Sequence, residues 1–140
     1  MAQNTTPGIP VHRSSGSVEL SFTNGWPKAD QTILIHSTAP DMQLAKRIAH
    51  ILVEEGLAAC VNLGAESLSM YMWQGVLEGA TEVAMTIKTR AFRMQEITER
   101  LAELHPYEVP ELLIQALDGG SRAYLEWLAE QTQPNKGTKE

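Results

Sequence analysis

Seven consecutive residues, His105-Pro106-Tyr107-Glu108-Val109-Pro110-Glu111, gather an imidazole, a phenol and two carboxylates. Each proline fixes its own φ and biases its predecessor toward extended backbone, so these groups sit on a stiffened segment and can be aimed. Imidazole with carboxylate help from Glu108 or Glu111 suits Cu(II) or Zn(II). His105 is also the best acid–base candidate; its plainer role, at a helix-to-strand junction, is to cap the preceding helix. Cys60 offers a thiolate to a softer ion such as Cu(I) or Hg(II), or simply fills a core position among Leu57, Ala58, Ala59 and Val61. Glu111 shares an alternating face with Leu113 and Gln115, which predicts a half-buried carboxylate, and Lys88 on an adjacent strand is its natural partner. Tyr71, Trp73 and Tyr107 are either cross-strand packing or the wall of a cleft. Glu78 and Glu82 read as solvated carboxylates near a hairpin bend.

Other chemistries have no foothold. His12, His36 and His50 make no metal-type spacing with one another or with His105, and no Cys-x-x-Cys, phosphate loop or nucleophile elbow occurs. A formal charge of −6 argues against a nucleic-acid partner. No apolar run approaches the roughly 20 residues of a membrane span. A single cysteine excludes an intrachain disulfide and makes the cytoplasm the expected compartment.

The elements that must position these residues are legible from periodicity. Residues 1–30 read as a flexible extension of turn and linker chemistry, with one alternating run, Val18, Leu20 and Phe22, as a candidate strand. The domain is predicted over 31–133, with 134–140 as a tail. A strand over 32–38 leads to Asp41, an N-cap for a helix carrying Leu44, Ile48, Ile51 and Leu52, which Gly56 stops. Strands follow from 59 to 73 and from 76 to 89, joined at Gly75. Met94, Ile97, Leu101 and Leu104 mark a second helix, residues 108–117 a fourth strand, and Tyr124, Leu125 and Leu128 a last helix. The order βαββαβ followed by α is an α+β, ferredoxin-like arrangement with both main helices on one sheet face. One terminal helix is too little to cover the other face beneath two long strands, so association between chains is expected.

Six segments in this order resemble the CutA divalent-cation tolerance proteins: 37–41 (STAPD), 57–62 (LAACVN), 71–75 (YMWQG), 88–89 (KT), 105–111 (HPYEVPE) and 124–128 (YLEWL). The resemblance spans about residues 32–131. It implies a homotrimer of PII-like shape whose long hairpin strands pair across subunits, a role in divalent metal tolerance, and no catalysis. No cofactor is required, with Cu(II) or another divalent cation as the ligand at intersubunit clefts. His105, Glu111 and Cys60 are the metal candidates. Tyr71, Trp73, Lys88, Tyr107 and Glu108 are the candidates for a ligand cleft. A PII-like trimer could instead bind a small molecule in those clefts, or serve as a scaffold for partner proteins. Some bacterial members place a cysteine where this chain has Ser37 and a histidine where it has Leu104. Those residues are associated with copper, and only His105 of that set is kept here.

Overall fold

A computed structural model describes residues 18–107 and 109–134 of the chain. Strand β1 (Thr32–Ala39) alternates strictly: Ile33, Ile35, Ser37 and Ala39 are buried, and the residues between them are half-exposed. Helix α1 (Met42–Glu54) starts at Asp41, whose carboxylate accepts the Leu44 N–H at 2.8 Å, and turns Ala45, Ile48 and Leu52 inward. Gly56 ends it with a φ of +75°, a conformation that glycine adopts without penalty. Strands β2 (Cys60–Trp73) and β3 (Val76–Arg90) form a long hairpin closed by Gln74 and Gly75, both at positive φ. A 3-10 turn (Ala91–Arg93) leads into α2 (Met94–Leu104), and β4 (Leu113–Ala116) and α3 (Arg122–Gln131) follow.

The four strands form one antiparallel sheet in the order β2-β3-β1-β4, the ferredoxin-like arrangement that the element order predicts. Ile33, Ile35, Val83, Met85 and Ile87 from the sheet meet Ala45, Ile48 and Leu52 of α1 and Met94, Ile97 and Leu101 of α2 in one core. Each such aliphatic side chain contributes about 1.5–3 kcal/mol on burial. On the opposite face, α3 lies against the end of β3. Arg90 donates to the Ala129 carbonyl and the Thr132 hydroxyl, and Arg93, 6% exposed, donates to the Thr132 and Gln133 carbonyls. Among the described residues nothing beyond α3 covers this face, and Leu113 is 61% exposed.

Two expectations are corrected. Residues 18–22 are not a strand; Leu20 and Phe22 instead pack against the core, and the Ala29 carbonyl accepts the Phe92 N–H at 2.9 Å. The segment from 18 to 30 is therefore docked on the domain, whereas residues 1–17 and 135–140 lie outside the described residues. The fourth strand begins at Leu113 rather than 108, and the cause lies in the 105–111 loop.

Candidate functional site

The loop rounds the end of β1 as the chain passes from α2 to β4. His105 is 5% exposed. Its backbone N–H bonds the Leu101 carbonyl at 2.8 Å, closing the helix. Its Nδ1 accepts the Tyr107 backbone N–H at 3.2 Å, which leaves the ring proton on Nε2; that nitrogen donates to the Thr38 carbonyl at 2.6 Å. The pairing of β1 with β4 ends at His36 and Leu113, and two residues further the same register would set Thr38 opposite Glu111. The imidazole takes the Thr38 carbonyl instead, and the Ser37 hydroxyl donates to the Glu111 carbonyl at 2.8 Å. Side chains thus replace the next rungs of the ladder, with Pro110 supplying no N–H for one, so the strand starts late. His105 caps a strand as well as a helix. A cation can use either ring nitrogen only by displacing one of these backbone bonds.

Tyr107 carries the loop to the hairpin. Its hydroxyl donates to Glu82 Oε2 at 3.2 Å, and the Ser69 hydroxyl donates to Glu82 Oε1 at 2.7 Å. Glu82 is only 7% exposed, which corrects the expectation of a solvated rim carboxylate. A carboxylate this buried is tolerated because both of its oxygens accept hydrogen bonds. Burial, then the Glu82 charge, pushes the Tyr107 phenol well above its ordinary range; the Tyr71 phenol is raised by burial and by Glu78 and Glu82. The Tyr107 shift means that the folded state keeps its proton where the unfolded chain, with a pKa near 10, has lost it. That stabilisation is present below about pH 10 and falls as pH rises toward the folded value. Denaturant titrations between about pH 9 and 11.5 are expected to show a stability decline that Tyr107→Phe flattens.

The sequence-predicted residues divide into groups. Tyr71 and Tyr107 are brought together around Glu82. Trp73 sits at the far end of the arm beside the turn, and Glu108 lies outside the described residues. Lys88 is on the open face, facing Cys60 across the β2–β3 pair, with its ammonium 3.5 Å from the Tyr124 hydroxyl. The expected Lys88–Glu111 pair does not form, because β1 lies between β3 and β4. Glu111 is exposed rather than half-buried. Cys60 is partly exposed at the start of β2, its thiol 3.9 Å from the Asn62 amide oxygen. It stands three strand spacings from β4, roughly 14 Å, so Cys60 and Glu111 do not converge within one chain. Among the described residues no three His, Cys, Asp or Glu side chains gather as a metal group, and no helix is long and apolar enough to cross a membrane.

Sequence reasoning missed Glu82 and Ser69 because of a one-residue register shift between Leu63 and Glu66. The bulge reverses the alternation of β2. It puts Ser69, Tyr71 and Trp73 on the side of Glu82 and Glu78, and turns Leu68, Met70 and Met72 to the other side with Leu77. Those four apolar side chains are 65%, 61%, 63% and 62% exposed. Gly64, within the shifted stretch, was the available sign, since an isolated glycine in a strand often marks a bulge.

A ferredoxin-like sheet with an exposed apolar arm, outer edges on β2 and β4 that no strand among the described residues pairs, and a loop locked to the arm by Tyr107 and Glu82 defines the class of this α+β subunit. The CutA1 divalent ion tolerance protein family matches residues 33–131, from β1 through α3. A divalent-cation tolerance protein CutA of Pectobacterium atrosepticum is 42% identical over 102 residues, covering 73% of this chain and 92% of its own. Protein CutA of Mus musculus is 41% identical over 145 residues, covering 99% of this chain and 74% of its own. That match takes in the segment before β1, which lies outside the six segments over residues 32–131. The crystal structure of CutA from Xylella fastidiosa superposes with a TM-score of 0.72 at 38% identity, covering 74% of this chain and 99% of its own. The chain belongs to the CutA divalent-cation tolerance family.

Proposed function

We propose that the protein is a cytoplasmic, non-catalytic CutA-type homotrimer that serves divalent-cation tolerance by holding cations weakly at clefts between subunits. The observation that carries this reading is the family match across the whole domain, site loop included. The lone cysteine supports a reducing compartment. Trimer formation is supported by the apolar row of the arm, which one chain leaves in water. Within the loop, Glu111 presents its carboxylate to solvent while Ser37 holds its backbone in place, so it is the first oxygen donor a cation meets. His105 holds the Thr38 carbonyl and the Tyr107 N–H, and would ligate only where one of these two bonds gives way. Cys60 would serve soft ions from a separate place on the sheet.

Calorimetric titration with Cu(II) tests the assignment. Glu111→Gln is expected to weaken binding by about tenfold, the loss of one charged ligand, while folding is unchanged. Equal affinity for wild type, Glu111→Gln and His105→Gln removes the loop as the cation site.

A further inference from the structure

The segment before β1 makes a surface that the family match does not include. The segment from 18 to 31 is held at both ends: the Val18 carbonyl accepts from the Gln95 amide, the Ala29 carbonyl from the Phe92 N–H, and Gln31 donates to the Leu117 carbonyl. Leu20 and Phe22 pack on the core; Trp26 lies back on Phe22, ring centroids 4.7 Å apart, yet remains 59% exposed. Between this segment and β4 runs a groove of about 820 Å³, whose other wall is Leu112, Leu113 and Ile114. β4 is an edge strand, so half of its backbone groups point into that groove.

We propose that residues 18–27 are a clamp that closes the β2–β3 arm of a second copy of this chain against the free edge of β4. The proposal rests on the homotrimer reading and adds to it a task for a segment outside the matched residues 33–131. Complementarity identifies the occupant. The sheet has a second free edge, that of β2, which runs for 14 residues and carries Leu68, Met70 and Met72 on one exposed side. The outer edge of β4 and the outer edge of β2, which bears the apolar row of the arm, fit by β-augmentation: main-chain bonds supply affinity, and the apolar walls set the register. The two edges differ, so the contact is head-to-tail, which makes a ring of three where the rotation closes. The 17 residues that precede the clamp are a poor alternative filler. Pro7 and Pro10 lack ladder donors, and Ser14, Ser15, Gly16 and Ser17 bring no apolar side chain.

Trp26 reports on the groove directly. A full-length protein with Trp73→Phe and Trp127→Phe keeps Trp26 as its only indole. In the assembled protein, acrylamide should quench Trp26 several-fold less than in the same protein dissociated by Met70→Glu and Met72→Glu. Trp26→Ala in the otherwise natural chain should speed exchange of subunits between differently labelled trimers by roughly tenfold, because the clamp acts on dissociation. Equal quenching in both states, or unchanged exchange, in a protein of trimer mass overturns the clamp and leaves the trimer standing. Shielding that persists in dissociated chains gives the groove to the chain's own first 17 residues and overturns it too. A wild-type mass of one chain defeats the homotrimer reading itself.

Discussion

Replacing Met70 and Met72 together with glutamate is expected to leave the protein as single chains of unchanged fold, seen as a fall to the mass of one subunit in light scattering or sedimentation. Both side chains are more than 60% exposed in the isolated subunit, so its own stability should change by no more than about 0.5 kcal/mol per site. In the proposed homotrimer the same positions would lie against a neighbour, where an unpaired carboxylate costs several kcal/mol. A loss of roughly 4 kcal/mol at each contact raises the dissociation constant about a thousandfold. The pair of substitutions therefore separates folding from association. Retained trimer mass, with circular dichroism unchanged, would show that the exposed row is not the contact and would remove the support the arm gives to the homotrimer.

The second large effect is on stability. His105→Ala is expected to cost about 2–5 kcal/mol, measured by denaturant unfolding of the single-chain variant just described. The ring is nearly inaccessible and serves two backbone groups, the Thr38 carbonyl and the Tyr107 N–H. Removing it strands both at about 1–3 kcal/mol each, on top of the cavity left by the imidazole. That is a large share of a typical total of 5–15 kcal/mol. The loss should extend beyond the loop, since Tyr107 joins it to Glu82 and Ser69 on the arm. Ordinary stability for His105→Ala would mean that water replaces the ring without cost, and the strand-capping role would fall.

Periodicity alone carried the element order a long way. Leu44, Ile48 and Leu52 on α1 and Ile97 and Leu101 on α2 fall at helical spacing and do turn inward, and Asp41 caps where its position predicts. Core burial is cumulative, so a regular apolar stripe specifies its face whatever the exact neighbour. The site was less legible. His105 read as a ligand or as a helix cap, and Lys88 as the partner of Glu111 on an adjacent strand; the helix cap is present, whereas the position of β1 between β3 and β4 keeps Lys88 from Glu111.

Residue types and spacing by themselves determined an α+β ferredoxin-like subunit with a long hairpin, an open sheet face and a polar loop rich in imidazole and carboxylate. These follow from local preferences and from the periods 2 and 3.6, which one chain displays in order. Only the tertiary structure decided that His105 spends both ring nitrogens on backbone, that Glu82 is buried between Tyr107 and Ser69, and that residues 18–27 wall a groove beside β4. The physical reason is register. One extra residue between Leu63 and Glu66 reverses which side chains of the arm face Glu82, and one hydrogen bond to Thr38 ends a strand; neither changes the hydrophobic pattern from which the fold is read.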